Sequence, residues 1–211
     1  MLNLDQIKMH DLLYDKSVVL VGGKEREGYE DAIMTCADLV VRVNQHVLSQ
    51  GGRCDGLYCA TADPCRLDRL ESPPLFLAYR VSGLFQGEFR DYARKNRCIQ
   101  IPFQNERYGK VNPIGVDYEW TNTFSHELVC KPFTGTLAIK HLCSYPIKTL
   151  HITGMDMHII GADVAMTTDG HTILKCGPHE IGPQIRWLKK YAKCDKRITL
   201  DPVLREVLYG E

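Results

Sequence analysis

A β-branched run, Lys16 to Val21 (KSVVLV), ends directly in the glycine pair Gly22-Gly23. A segment from Tyr29 to Cys36 that reads as a short helix follows, and then a second apolar run, Ala37 to Asn44 (ADLVVRVN). Uninterrupted apolar strands need cover on both faces, and two of them joined through a helix are laid parallel by the crossover. The texture recurs along the chain. Cys54 to Ala60 and Leu75 to Val81 read as strands, Phe85 to Arg97 as a helix, and Cys98 to Pro102 as a further strand. Leu137 to Cys143 reads as a helix stopped by Tyr145-Pro146, Lys148 to Thr153 as a strand, and Gly182 to Tyr191 as an amphipathic helix with Ile185, Leu188 and Ala192 on one side. The expected fold is α/β and Rossmann-like, a mostly parallel sheet flanked by helices. Ligands of such sheets sit beyond the strand C-termini, where strand order changes direction.

The 211 residues suit one domain spanning residues 1–211. From Phe103 to Cys130 polar residues, aromatics, Gly109, Pro113 and Gly115 alternate without a clear period, which predicts a substrate loop or lid over 103–130. Lys+Arg and Asp+Glu are both 26, so net charge gives no support to strong non-specific nucleic-acid binding. The stretch Lys189, Lys190, Lys193, Lys196, Arg197 is either a local basic patch or a solvated helix face. Charges in MLNLDQIKMHDLLYDK rule out a signal-peptide core there, and no run approaches the length of a membrane span. Nine scattered cysteines without paired short spacings fit reduced thiols, so a cytoplasmic protein is expected. Cys54, Cys59 and Cys65 lack the CxxC repeat or nearby His that completes a zinc set, and no HExxH is present, so no metal site is expected.

Several residues carry chemistry by type and position. Gly22 and Gly23 follow the first strand, where glycine lets backbone N–H groups approach a phosphate; a plain strand-to-helix turn is the alternative. The spacing meets neither GxGxxG nor the P-loop pattern. Asn44 closes the second strand and suits a nucleobase or ribose, or an Asx turn. Arg42 suits a phosphate, or an ion pair with an Asp. Thr134-Gly135-Thr136 opens a helix and predicts an anion site, a Thr134 cap, or both. Gly154 and Asp156 end the KTLHIT strand, where Asp156 reaches a ribose or acceptor hydroxyl, or closes a turn. His179, in CGPHEIGP ahead of a helix, has the side chain whose pKa suits taking a hydroxyl proton at neutral pH. His171, in DGHTIL, is a second histidine suited to a phosphate.

In this order, VVLVGGKEREGYEDAIMTCADLVVRVNQ, KPFTGTLAIKHLCSYPIKTLHITGMD and HEIGPQ resemble the large, small and very-small motifs of the sialyltransferases. Gly22 and Arg42-Val43-Asn44 match the first, Thr134, Gly135, Cys143 and Gly154 the second, and His179 the third. Gly23 stands where the family has Asn, Met155 where it has Phe, and Gln184 where it has Glu. The resemblance covers roughly a third of the chain. It implies an inverting glycosyltransferase that works without a metal ion or other cofactor and takes its sugar from a nucleotide donor, CMP-linked in the family. By the same resemblance His179 is the general base, Thr134 and Gly135 hold the donor carboxylate, Gly22 and Asn44 the nucleotide, and His171 offsets charge on the leaving phosphate. The three departures leave the sugar open among sialic acid, Kdo and a pentose. The acceptor is open between a bacterial glycan and a hydroxymethylated base of viral DNA. Two readings remain on the same sheet: a non-catalytic nucleotide-binding module, and a dehydrogenase or methyltransferase using the first βα turn, against which the incomplete glycine pattern and the lack of an acidic residue closing the second strand argue.

Overall fold

The computed structural model describes residues 4–23, 29–43, 53–59, 74–80, 112–116, 118–155, 157, 165–166, 172–173 and 181–210. Its main sheet has seven strands in the order β5-β4-β3-β2-β1-β6-β9. These are β1 (Ser17–Val21), β2 (Leu39–Val43), β3 (Gly56–Cys59), β4 (Phe76–Arg80), β5 (Asn112–Val116), β6 (Thr149–Thr153) and β9 (Ile198–Leu200). Every adjacent pair is parallel. The two-residue strands β7 (Ala165–Met166) and β8 (Thr172–Ile173) form a separate antiparallel pair.

β1 lies between β2 and β6, with Val19 opposite Val40 on one side and His151 on the other. That central place explains its unbroken apolar run. Val18 and Leu20 join the larger core cluster on one face, while Val19 and Val21 pack with Val40, Ile33 and Met34 on the other. Ile33 and Met34 belong to α2 (Tyr29–Cys36), the crossover between β1 and β2. The larger cluster takes Met9 and Leu13 from α1 (Leu4–Leu13), Phe124 and Leu128 from α3 (Tyr118–Leu128), and Leu137, Ile139 and Leu142 from α4 (Thr134–Cys143). It also takes Trp187 and Leu188 from α5 (Ile181–Cys194), and Leu204 and Leu208 from α6 (Pro202–Tyr209). Burying each such side chain stabilises the fold by about 1.5–3 kcal/mol.

Lys140 of α4 clasps α3 and α5. Its Nζ lies 3.3 Å from Glu127 Oε2 and within 5.6, 6.0 and 5.2 Å of the Phe124, Trp187 and Tyr191 ring centres. Trp187 Nε1 donates to the other oxygen of the same carboxylate at 3.0 Å.

The predicted loop over 103–130 is corrected for its described part. Residues 112–116 form β5 at the sheet edge, and α3 follows. Pro113 and Gly115 make β5 a poor strand former by type, but an edge strand tolerates a missing N–H. In α3 the buried positions Thr121, Phe124 and Leu128 recur at helical spacing. Thr121 in that stripe hides the period. The expected helix at 85–97 and strand at 98–102 lie outside the described residues, as does 103–111.

Candidate functional site at the strand-order reversal

From β1 the strand order runs to β2, β3, β4 and β5 in one direction, and the chain then returns to β6 on the other side of β1. The reversal falls at the C-terminal ends of β1 and β6, the edge where ligands of such sheets generally bind in a crevice. A helix that precedes a parallel strand starts at that same edge. α4 precedes β6 and α5 precedes β9, so both present their N-termini there.

The turns after β1 and β6 touch. Gly22 N–H donates to Thr153 O at 2.8 Å, which extends the β1–β6 ladder by one residue. A Cβ on Gly22 would overlap the Gly154 carbonyl and come within 2.6 Å of Met155 Cγ. Gly22 is therefore glycine because the two turns meet at backbone distance. The expectation that its N–H is offered to a phosphate is corrected, since β6 takes that donor. Gly23 is exposed at the same turn. Gly154 has φ 67°, a conformation that favours glycine, and its N–H donates to Asp201 Oδ2 at 2.9 Å. Met155, where the resemblance expects Phe, is buried between the turns and the start of α4. A Cβ on Gly135 would lie 3.0 Å from its Sδ and Cε.

The start of α4 differs from the expected cap. Phe133, not Thr134, is the N-cap residue, and no side chain caps the helix. The Phe133 N–H is held by Gln184 Oε1 at 2.8 Å, and Gln184 Nε2 donates to Lys131 O at 3.5 Å. Gln184 is fully buried in the first turn of α5. It ties the third motif segment to the second with one acceptor and one donor, which a carboxylate in its place does not supply. Pro183 fits beside it because a first-turn N–H has no intrahelical acceptor. In the first turn of α4, Thr136 is 1% exposed and its Oγ1 has no hydrogen-bond partner. A buried, unsatisfied hydroxyl costs about 1–3 kcal/mol. Here it lies beside N–H groups with no partner inside the helix, where a positive field favours an anion.

Arg42 lies elsewhere. Its register parity puts it on the sheet face under α2, buried, with Nε donating to Arg53 O at 2.9 Å and a guanidinium N–H to Met34 Sδ at 3.7 Å. Through these two contacts it braces β2 to the segment leading into β3. Arg197 also leaves the expected basic patch. It pairs with Asp195 at 2.6 Å and donates to the Tyr145 and Cys143 carbonyls. Asn44, Asp156, His171 and His179 lie outside the described residues; His179 precedes α5 by two positions in sequence.

Two site residues were not assigned a role from sequence, Gln184 and Asp201. Asp201 is fully buried at the end of β9. Its Oδ1 accepts from Leu204 N at 2.7 Å as the N-cap of α6, while Oδ2 holds the Gly154 turn. The Asp-Pro pair opening α6 and Gly210 closing it at φ 72° are the sequence signal for that cap.

The sequence matches no protein-family model and no curated protein. Among the described residues no group of His, Cys, Asp and Glu is arranged to hold a metal ion, and no helix is long and apolar enough to cross a membrane.

Proposed function

We propose that this protein is an inverting glycosyltransferase of sialyltransferase-like type, transferring a sugar from a CMP-linked donor to a hydroxyl acceptor without a metal ion or other cofactor. The observation that carries the reading is the start of α4 at the β1–β6 crevice. The first turn of α4 meets Met155 at Gly135, and the next residue, Thr136, carries a buried hydroxyl without a partner among the described residues. That constellation suits a carboxylate or phosphate, and the small-motif resemblance assigns it the donor.

In the proposed reaction the acceptor hydroxyl gives its proton to His179 as its oxygen bonds to the anomeric carbon. The bond from that carbon to the donor phosphate breaks, and CMP leaves with the electron pair. His171 offsets the charge on the leaving phosphate. Asn44 and Gly23 hold the nucleotide, and Asp156 a hydroxyl of ribose or acceptor. A cytoplasmic location belongs to the same proposal.

Thermal-shift titration with CMP, UDP, NAD and S-adenosylmethionine tests the donor class. The expected result is stabilisation by CMP; stabilisation by NAD or S-adenosylmethionine alone overturns it. With several CMP-sugars, mass spectrometry of a hydroxyl acceptor is expected to show the added sugar, and His179→Ala to abolish it while the CMP shift persists. A CMP shift without turnover for any sugar identifies a non-catalytic nucleotide-binding module instead.

A further inference from the structure

The outward side of α5 is a row of unopposed cations. Arg186, Lys189, Lys190 and Lys193 are all exposed and fall within about 100° of one another around the helix, at 100° per residue. Lys196 continues the row just past the helix end and is exposed as well. α5 contains no acidic residue, and among the described residues none of these five side chains has an ion-pair partner. Lys189 and Lys193 are drawn together over one ring, their Nζ atoms 5.3 and 5.1 Å from the centre of Tyr209. Two like charges held at one ring, in a chain whose net charge is zero, mark a local field and not a general excess of base.

We infer that this face of α5 is a docking strip for the sugar–phosphate backbone of a nucleic acid. The row is linear. From Arg186 to Lys193 it spans about 10 Å at 1.5 Å per residue, the axial run of about three phosphates of one strand. A bilayer fits the face less well. The apolar residues Trp187 and Leu188 point into the core, and the exposed large hydrophobic residues among those described, Ile7, Tyr14, Leu75 and Val129, lie outside α5 and α6. An interfacial helix needs an apolar face to insert, and here that face is spent on the core. The strip also has a direction. Arg186 lies two residues beyond Gln184, which bonds to the residue before α4, so the row starts at the crevice edge and runs away from it. A strand bound along it leads toward the crevice. On the proposed transfer reaction, and only on it, this makes a nucleic acid the acceptor.

Fluorescence anisotropy with a labelled single strand of about 20 nucleotides, repeated between about 50 and 200 mM salt, tests the strip. With about three phosphates neutralised, the slope of log affinity against log salt is expected to be about −2. The variant R186Q/K189A/K190A/K193A is expected to lose at least about tenfold in affinity and most of that slope, while K8A/K148A, which removes two cations outside α5, keeps both. Absence of binding by the intact protein at low salt, or equal binding by the quadruple variant, overturns the inference. So does tighter binding to phosphatidylserine vesicles than to the oligonucleotide in the same buffer. The CMP thermal shift on the same variants separates failure of the strip from failure of the glycosyltransferase reading.

Discussion

Near its C-terminal end α4 buries His141 in the core, and in its first turn it buries Thr136. His141 is buried between two phenols, Tyr58 OH 2.6 Å from Nδ1 and Tyr145 OH 3.3 Å from Nε2, with Trp120 edge-on to its ring. A neutral imidazole matches both phenols, accepting from one and donating to the other. Burial lowers its pKa to about 4 and raises that of Tyr58. The network is closed, and every group in it is spoken for by the fold. Thr136 is as deeply buried, about one and a half turns earlier on the same helix, yet among the described residues its hydroxyl has no partner. Polar groups at equal depth thus divide into a set satisfied by the fold and a set left for something else.

The strongest way to break this contrast is to fill the crevice. Gly22→Val puts a branched side chain onto the Gly154 carbonyl and Met155. It is expected to cost about 3 kcal/mol or more, because backbone cannot move aside as a flexible side chain can. Urea denaturation of the variant measures this, and wild-type stability would show that the two turns do not meet.

Acid attacks the closed end. The folded His141 has a pKa of about 4 against 6.5 when exposed, so the unfolded chain takes up its proton first as pH falls. The stability from the neutral ring is complete above about pH 6.5 and is lost down to about pH 4, roughly 3 kcal/mol in all. His141→Gln is expected to flatten that portion of the stability–pH curve, and an unchanged curve would place the ring outside the core.

Gln184→Ala strips the Phe133 N–H of its acceptor and is expected to cost about 1–3 kcal/mol. Gln184→Glu restores the acceptor and not the donor, so it should recover part of the loss. Equal loss in both variants would mean that an acceptor for the Phe133 N–H is not what Gln184 contributes.

The smallest effect on stability sharpens the contrast most. Thr136→Val removes a hydroxyl that bonds to nothing, so the fold is expected to change by less than about 0.5 kcal/mol or to gain stability. CMP affinity is expected to fall about fivefold, one hydrogen bond's worth. A stability loss comparable to that of Gln184→Ala would mean the hydroxyl is already satisfied.

The strands and helices of the βαβ units were legible because their signals are local. β1, β2, β3, β4 and β6 lie within a residue or two of the apolar runs that predict them, and α2 matches its predicted range. α3 and β5 were not legible, because a buried Thr interrupts one pattern and Pro and Gly disguise the other. Among the described side chains α1 and α6 each show two fully buried positions one turn apart, Met9 and Leu13, and Leu204 and Leu208, too few to stand out against charged neighbours. At the crevice the glycines were visible in sequence but their reasons were not. Gly22 looked like a phosphate turn, and its N–H is taken by β6 where the two turns meet.

The amino-acid order by itself determined a parallel α/β sheet, because apolar runs too long for one covered face require helices on both sides. It also determined where the unusual residues would collect, since glycines and threonines at strand ends and helix starts share one edge in any such sheet. Only the tertiary structure decided which polar atoms are used up. Whether Gln184 meets Phe133, Asp201 meets Gly154, or Thr136 meets nothing depends on distances between segments far apart in the chain, and residue type is silent on those.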